Sequence, residues 1–218
     1  MHKGLLFDLD GVIVDTAKYH YLAWKDLADK LGIEFTKQDN ERLKGVSRMR
    51  SFEIILEIGN REMTQEEKEH YCTLKNDHYL EYIMKLEKDE ILPGVKEFLD
   101  SSRKKGYKIA LGSASKNSMI ILERLGLLDS FDEIIDGTKV SSAKPDPEVF
   151  VKGAESLGLD VSDCIVFEDA AAGVEAAHRG GMKAVGIGLA ENLPDADTII
   201  SGFAGITIEE IEKKLSEG

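Results

Sequence analysis

The sequence predicts an α/β protein with a doubly wound parallel sheet and an inserted helical domain. Three observations carry this prediction: an apolar run at the N-terminus, strand and helix patterns that alternate after residue 92, and no strand candidate between about residues 17 and 88. Alternating strands and helices are typical of parallel sheets covered on both faces. We therefore expect a sheet domain formed by 1–15 and 93–218, and an α-helical cap domain formed by 16–92.

Charge and composition exclude several classes of protein. The 218 residues include 28 Lys and Arg against 41 Asp and Glu, which gives a net charge of −13. Such a chain repels polyanions, so no nucleic-acid partner is expected. No apolar run is long enough for a membrane span, and Asp8 interrupts the first apolar run, so neither a membrane partner nor a signal peptide is expected. The sequence favours a cytoplasmic protein, and monomer is the default.

The N-terminal apolar run ends in two carboxylates and a glycine. It reads Leu5-Leu6-Phe7-Asp8-Leu9-Asp10-Gly11 and predicts a buried strand with ligands at its carboxyl end. Strand alternation would place the carboxylates of Asp8 and Asp10 on one side, roughly 6–7 Å apart. Such a pair requires a cation or a proton nearby when it is buried. The alternative interpretation is an ordinary acidic turn.

Helical periodicity dominates the expected cap domain. A first helix ends at Gly32, and a capping box at Thr64 opens a long helix. The apolar positions expected on the first helix are Leu22, Ala23, Leu27, Ala28 and Leu31. The positions expected along one face of the long helix are Tyr71, Leu74, His78, Tyr82 and Leu86. A basic, glycine-containing turn over 44–48 lies between the two helices.

Strands and helices alternate through the expected sheet domain. Strands are predicted near 108–113, 132–135, 163–168, 183–187 and 197–200, and helices near 95–105, 117–125, 147–158, 170–179 and 207–216. The chain crosses between the two domains near 15–17 and 87–93, which are the candidate hinges. Cys72 and Cys164 lack metal-ligand spacing and a basic setting, so both are expected to be structural.

Three later strand ends also carry polar side chains. Ser113-Ala114-Ser115-Lys116-Asn117 opens a helix and offers an anion site, or simply a helix cap. In Lys144-Pro145 the proline favours an extended conformation that aims the ammonium group, although a solvated loop is the alternative. Glu168-Asp169 suits a hard cation such as Mg²⁺, or an acid-rich helix start. Together with Asp8 and Asp10, these groups predict phosphoryl transfer.

The same motifs, in this order, resemble those of the haloacid dehalogenase superfamily of phosphotransferases. The match is to Asp8-x-Asp10-Gly11-Val12, Ser113, Lys144-Pro145 and Glu168-Asp169, and it covers essentially the whole chain. The resemblance implies a Rossmann-like core with an inserted cap. Within the superfamily the chain resembles mutases of glucose phosphates more closely than generic sugar phosphatases. The stretches that carry this closer likeness are 8–16, Tyr19-His20, Ala23-Trp24, 43–48, 113–117 and 144–147.

The resemblance also implies roles for the core residues. Asp8 would be the nucleophile that forms an aspartyl-phosphate, and Asp10 would be the general acid/base. Mg²⁺ would be bound by the side chains of Asp8, Glu168 and Asp169 and by the backbone carbonyl of Asp10. Ser113 and Lys144 would hold the transferring phosphoryl group. Gly112 stands at a position that we expect to tolerate substitution.

Substrate contacts are implied for both domains. The distal phosphate would be bound by Arg48, Ser115, Lys116 and Asn117. The sugar side of the site would be lined by Trp24, Gly45, Val46, Ser47 and Lys75, with Thr16 and His20 at the hinge and the cap entrance. Alternatives remain open for three of these residues: Trp24 as part of the cap core, and His20 and Lys75 as ordinary residues of the helix surface.

The implied reaction is a Mg²⁺-dependent interconversion of β-glucose 1-phosphate and glucose 6-phosphate, through a β-glucose 1,6-bisphosphate that also serves as primer. The partners are therefore small sugar phosphates. Alternatives are a phosphatase of the same fold and a non-catalytic sugar-phosphate-binding protein. A phosphonate hydrolase is disfavoured, because the cap shows no obvious isolated lysine for a Schiff base.

Overall fold

The computed structural model describes residues 2–43 and 46–217. The chain forms two compact units, which we call the sheet unit (Met1–Asp15 and Glu87–Gly218) and the helical unit (Thr16–Leu86). The division after residue 86 differs from the expected boundary after residue 92. Val14 forms an antiparallel bridge with Ile91, and the backbone N–H of Leu92 donates to the carbonyl of Ile13 at 2.9 Å. These contacts place the segment 87–92 with the sheet unit.

Within the described residues, the sheet unit contains one sheet of six parallel strands in the order β3-β2-β1-β4-β5-β6. The strands are β1 (Gly4–Phe7), β2 (Lys108–Gly112), β3 (Glu133–Ile135), β4 (Cys164–Glu168), β5 (Lys183–Ile187) and β6 (Thr198–Ile200). The order reverses between β1 and β4, which is the point where open α/β sheets bind ligands. The predicted doubly wound sheet is confirmed.

The helices that the sequence predicts are present, and two further helices lie between the first helix and the long helix of the helical unit. They are α1 (Ala17–Lys30), α2 (Lys37–Glu41), α3 (Arg48–Ile58), α4 (Gln65–Ile83), α5 (Val95–Lys104), α6 (Ser118–Leu125), α7 (Glu148–Leu157), α8 (Ala171–Arg179) and α9 (Ile208–Glu217). Their ends have local causes: Thr64 caps α4 with a full capping box, and Gly126 and Gly158 end α6 and α7 in the left-handed conformation. None of the described helices combines the length and apolarity needed to cross a membrane.

The central strands are buried on both faces, which explains their apolar sequences. On one face the rings of Phe7 and Phe167 stack with centroids 4.5 Å apart, and Phe98 and Phe203 pack around them. The opposite face carries a separate apolar cluster, which includes Leu6 and covers the sheet beneath α7 and α8. This double burial fixes the carboxyl ends of β1, β2 and β4 side by side.

The first strand is shorter than the apolar run. β1 ends at Phe7, and the carbonyl of Leu9 accepts hydrogen bonds from the backbone N–H groups of Ile13 and Val14. Asp8 and Asp10 therefore stand in the turn that follows the strand. Strand alternation therefore does not by itself set their separation, and the distance of roughly 6–7 Å stays a prediction.

The helical unit has its own apolar core, in which the ring of Trp24 stacks on that of Phe52. The predicted face of α4 is wrong. The buried residues of this helix are Cys72, Lys75, Tyr79 and Ile83, whereas Leu74 is 37% exposed. The pattern was misleading because a lysine occupies a core position. The predicted face of α1 is confirmed at Ala23, Leu27 and Ala28, whereas Leu22 is 39% exposed and Trp24 is buried.

Candidate active site

The carboxyl edge of the sheet places the predicted chemical groups of the sheet unit together. Asp8 follows β1, and its backbone N–H donates to the carbonyl of Phe167 in β4 at 3.0 Å. Ser113 follows β2 and donates in the same way to Ile135 in β3. Glu168 ends β4, and Lys144 reaches the edge from the loop before α7. Backbone pairing thus holds the segments of Asp8, Ser113 and Glu168 at the edge, whereas Lys144 reaches it through its side chain.

Lys144 bridges two of the carboxylates. Its Nζ donates to Asp8 Oδ1 at 2.5 Å and to Glu168 Oε1 at 2.6 Å, and only 6% of its side chain is exposed. Burial acts to lower the pKa of Lys144, but the charges of Asp8 and Glu168 outweigh it and raise that pKa above its usual value. The lysine therefore stays charged and offsets part of the negative charge of this edge. The Lys144–Pro145 peptide bond is cis.

An aromatic ring supports the lysine. The Nζ of Lys144 lies 4.6 Å from the centroid of Phe150, a buried residue of α7. A β-carbon at Gly112 would lie 2.7 Å from Cδ1 of the same ring. In this chain a residue larger than glycine at position 112 would displace the ring under Lys144, while the expectation that variation at this position leaves the site unaltered stays a prediction.

Three carboxylates could hold a metal ion. Asp8, Glu168 and Asp169 each place one carboxylate oxygen within 4.8 Å of the others. Carboxylate oxygens are the ligands that Mg²⁺ prefers, and Asp8 and Glu168 are buried, where unbalanced negative charge is costly. The donor set therefore fits a hard divalent cation.

Glu168 is fixed by its surroundings. Its Oε2 accepts the backbone N–H of Ala170 at 2.9 Å, and a β-carbon at Gly173 would lie 1.9 Å from its Oε1. Burial raises the pKa of Glu168, while the ammonium group of Lys144 opposes that rise. The first turn of α8 therefore requires glycine at 173 to leave room for this carboxylate.

Asp10 lies close to other carboxylates. Burial, and then the charges of Asp8 and Asp169, raise the pKa of Asp10 to about 8. The adjacent turn is closed by a hydrogen bond of 2.8 Å from the N–H of Gly11 to the carbonyl of Val14. This carboxyl group can therefore hold a proton at neutral pH.

The loop after β2 is organised by its own hydroxyl groups. Ser113 Oγ accepts the N–H of Ser115 at 3.1 Å, and Ser115 Oγ accepts the N–H of Asn117 at 3.2 Å. Ser113 and Asn117 are buried, and Lys116 is exposed. Asn117 precedes α6 without a side-chain capping hydrogen bond, so the helix-cap interpretation does not account for its side chain.

In the helical unit, the predicted residues Thr16, His20 and Lys75 contact Tyr79, and Lys75 also contacts Trp24. Lys75 Nζ lies 2.7 Å from His20 Nδ1 and 4.8 Å from the centroid of Trp24. The His20 ring stacks on Tyr79, whose hydroxyl donates to Thr16 Oγ1 at 3.1 Å. Burial, together with the charges of Lys75 and Arg48, lowers the pKa of His20 well below its usual value.

This cluster decides two of the open alternatives. Lys75 is 2% exposed, so it is not an ordinary residue of the helix surface. Trp24 belongs to the core of the helical unit, as the alternative interpretation held, and it also faces the ammonium group of Lys75.

The turn before α3 carries the remaining predicted residues. Ser47 caps α3 by accepting the N–H of Arg50 at 3.2 Å, and Val46 is 39% exposed. Arg48 opens the helix, and its Nη2 donates to Asn76 Oδ1 at 2.7 Å. The predicted site residue Gly45 lies outside the described residues.

The sequence-based interpretation missed Asn76, Tyr79 and Phe150. Tyr79 stands four residues after Lys75, and this helical spacing was a usable signal. Asn76 and Phe150 have no local signal, because their contacts join distant parts of the chain.

Comparisons with known proteins agree with this geometry. The sequence model of the haloacid dehalogenase-like hydrolases matches residues 2–181. The chain is 41% identical to the β-phosphoglucomutase of Bacillus subtilis over 217 residues, which cover 99% of this chain and 96% of that protein. It is also 30% identical to a fructose-1-phosphate phosphatase of Escherichia coli, over 86% of this chain and 97% of that protein.

A solved structure gives the same result for the fold. The crystal structure of a β-phosphoglucomutase from Clostridium difficile matches with a TM-score of 0.94 and 42% identity, and the match covers 100% of this chain and 98% of that one. The likeness therefore includes the helical insertion as well as the sheet. The chain belongs to the haloacid dehalogenase-like hydrolase family.

Proposed function

We propose that this protein is a Mg²⁺-dependent phosphotransferase with β-phosphoglucomutase activity, which interconverts β-glucose 1-phosphate and glucose 6-phosphate. The observation that supports this most is the 41% identity to a β-phosphoglucomutase over 99% of the chain, because it extends through the helical unit. The position of Lys144 between Asp8 and Glu168 supports the phosphoryl-transfer chemistry.

Asp8 and Asp10 divide the chemistry in this proposal. The carboxylate of Asp8 attacks the phosphorus of a sugar bisphosphate, a new O–P bond forms, and the bond to the sugar oxygen breaks. A hydroxyl group of the sugar monophosphate then attacks the aspartyl-phosphate and frees Asp8. Asp10 takes the proton of the attacking hydroxyl and returns a proton to the leaving oxygen in the other half-reaction.

Ser113 and Lys144 are proposed to hold the phosphoryl group while it moves. The ammonium group of Lys144 already touches Asp8 Oδ1, so it is placed to balance charge on the oxygens around the phosphorus. Mg²⁺, held by the side chains of Asp8, Glu168 and Asp169 and by the carbonyl of Asp10, would supply further charge neutralisation and Lewis acidity.

Substrate contacts are proposed in both units. In the sheet unit, Ser115, Lys116 and Asn117 bind a phosphate group through hydroxyl, ammonium and amide donors. In the helical unit, Arg48 binds phosphate with its planar guanidinium group, which Asn76 orients. The sugar is proposed to contact residues of the helical unit, namely Thr16, His20, Trp24, Gly45, Val46, Ser47 and Lys75.

The bisphosphate is proposed to act as primer, because Asp8 must be phosphorylated before the first turnover. Since sugar phosphates are charged and do not cross bilayers unaided, we place the enzyme in the cytoplasm. We propose that it works as a monomer, which size-exclusion chromatography with light scattering would check.

A product assay tests the function. Purified protein is incubated with Mg²⁺ and β-glucose 1-phosphate, with and without β-glucose 1,6-bisphosphate, and glucose 6-phosphate and free phosphate are both followed. We expect isomerisation that depends on the primer and is lost in Asp8→Asn. Turnover that persists in Asp8→Asn, or a primed reaction without isomerised product, would contradict the proposal.

The same assay decides the main alternative. Similarity to a fructose-1-phosphate phosphatase keeps hydrolysis open, because water could discharge the aspartyl-phosphate instead of a sugar hydroxyl. Steady release of phosphate without glucose 6-phosphate would favour this phosphatase. A non-catalytic sugar-phosphate-binding protein would show neither product, and fluoroberyllate with Mg²⁺, a mimic of the aspartyl-phosphate, would not raise its Tm.

A further inference from the structure

The loop that carries Lys144 requires an anchor. Residues 141–143 are exposed and belong to no helix or strand, yet only 6% of the Lys144 side chain is exposed. The Nζ of Lys144 keeps contacts of 2.5 and 2.6 Å with two carboxylates on other elements. A flexible loop alone would not hold an ammonium group in one position, because each loose backbone residue adds conformational freedom.

Glu148, the first residue of α7, holds the beginning of this loop. Its Oε2 accepts three hydrogen bonds: the N–H of Ser141 at 2.8 Å, the hydroxyl of Ser141 at 2.9 Å and the N–H of Ser142 at 2.8 Å. Its Oε1 accepts Lys152 Nζ at 2.6 Å. Oε2 therefore binds the loop, and Oε1 binds Lys152 in the next turn of the same helix.

These contacts need a carboxylate. The hydrogen bond from Lys152, and then those from Ser142 and Ser141, lower the pKa of Glu148 to about 2, so the group stays ionised at neutral pH. Every partner in the set is a donor. A glutamine would point its amide nitrogen either at the loop or at Lys152, and would place donor against donor there.

α7 also contacts the far end of the loop. Phe150 lies two residues after Glu148 and places its ring centroid 4.6 Å from Lys144 Nζ. The helix is fixed in turn by its buried residues Val149, Phe150 and Ala154. The helix α7 therefore contacts both the start of the loop, through Glu148, and Lys144, through Phe150.

We propose that Glu148 is a positioning residue for Lys144: its carboxylate fixes Ser141 and Ser142, and thereby keeps Lys144 Nζ between Asp8 and Glu168. This inference rests on the proposed function, since that function assigns Lys144 to the transferring phosphoryl group. Glu148 itself does not touch the reacting atoms.

A double-mutant cycle tests the inference. The four proteins are the wild type, Glu148→Gln, Lys144→Ala and the double variant. We expect Glu148→Gln to lower kcat by about 10- to 100-fold and to change KM by less than about twofold, because the defect lies in geometry rather than in distal binding. In the Lys144→Ala background the same change should lower kcat by less than about twofold.

Hydrogen exchange gives a readout that does not depend on activity. The amides of Ser141 and Ser142 should exchange at least about tenfold faster in Glu148→Gln than in the wild type. Glu148→Asp, which keeps the charge and both oxygens, should restore part of the protection. The matched control is Glu175→Gln, because Glu175 pairs with Arg179 at the same i,i+4 spacing on α8; its kcat should stay within about twofold of the wild type.

The outcomes separate the two claims. Equal losses of kcat in both backgrounds, or unchanged exchange at Ser141 and Ser142, would overturn the role of Glu148. If the wild type itself forms no glucose 6-phosphate, the proposed function fails. In that case the exchange measurement still decides whether Glu148 holds the loop.

Discussion

The carboxylate of Asp169 occupies the space where a side chain of Gly11 would be. A β-carbon at Gly11 would lie 2.1 Å from Asp169 Oδ2, and the φ angle of Gly11 is +75°, which disfavours any other residue. The glycine of the first motif thus has two separate reasons to be glycine. One is the turn after Asp10, and the other is the position of a carboxylate in the candidate metal site.

Gly11→Ala should damage the metal site more than the fold. We expect a loss of about 1–2 kcal/mol in the free energy of unfolding from the left-handed conformation, and a drop of at least about tenfold in Mg²⁺ affinity from the displaced Asp169. Urea unfolding and Mg²⁺ titration would measure the two effects. Gly106→Ala is the matched control, since Gly106 has φ +89° with nothing within 4 Å of a β-carbon. Gly106→Ala should lose stability but keep its Mg²⁺ affinity. Equal Mg²⁺ affinities in the two variants would contradict the prediction that a β-carbon at position 11 displaces Asp169.

Lys144→Met should cost both rate and stability. Removing the ammonium group leaves Asp8 and Glu168 close together without their shared partner, so we expect a loss of about 3–5 kcal/mol in unfolding free energy at neutral pH. The rate should fall by at least about 10²-fold. Mg²⁺ should restore part of the stability, because it neutralises the same carboxylates.

Urea unfolding with and without Mg²⁺ checks this expectation. Lys96→Met is a control, since Lys96 pairs with Asp100 on the exposed surface of α5, and its loss should stay within about 0.5 kcal/mol. If Lys144→Met were as stable as this control, the bridge would contribute nothing to the fold.

His20 should make the stability of the protein fall on acidification. The pKa of His20 is lower in the folded chain than in the unfolded chain. As the pH falls, the unfolded chain therefore binds a proton at His20 before the folded chain does. The stabilisation is complete above about pH 6.5 and is lost as the pH falls below it, by up to about 1.4 kcal/mol per pH unit. His20→Gln should reduce this slope between pH 7.5 and 5.5 in urea unfolding. His70→Gln, at an exposed position of α4, should leave it unchanged, and the same slope in all three proteins would rule out the effect.

Two buried serines offer a matched pair for hydrogen bonding. Ser102 Oγ is buried and has no hydrogen-bond partner within the described part of the chain, whereas Ser118 Oγ donates to the carbonyl of Ser115 at 2.8 Å. Ser102→Ala should be neutral or should stabilise the protein by up to about 1 kcal/mol, because it removes an unsatisfied polar group. Ser118→Ala should destabilise it by about 1 kcal/mol. Thermal unfolding of both variants measures the difference, and a destabilised Ser102→Ala would point to a partner for that hydroxyl.

The sequence could predict the sheet and the polar groups at its carboxyl edge because two simple rules act together. Apolar runs bounded by polar turns give the strands, and parallel strands bring their carboxyl ends to one edge, so Asp8, Ser113 and Glu168 had to be near one another. Glycines such as Gly126 and Gly158 mark helix ends for a local reason, the left-handed conformation. Each of these features depends on a few neighbouring residues.

The features that escaped prediction depend on contacts between distant residues. Lysine is typical of protein surfaces, but the buried ammonium group of Lys75 contacts the rings of Trp24 and Tyr79 and the imidazole of His20. The face of α4 was therefore assigned wrongly. The restriction at Gly112 arises from Phe150, which lies 38 positions later in the chain and approaches it only in the folded sheet unit. Neither helical nor strand periodicity in the sequence indicates that the Phe150 ring lies against Gly112.

The position of β1 at the centre of the sheet also bears on how the protein is made. Among the six described strands, β1 leaves the ribosome first, but its residue Gly4 pairs with Lys108 on one side and with Cys164 on the other. The apolar segment Leu5-Leu6-Phe7 must therefore wait for most of the chain to be synthesised. The core of the helical unit lies entirely within residues 16–86, so it can fold in the meantime. Asp8 is thus the first polar residue of the carboxyl edge to be translated and among the last to acquire its neighbours.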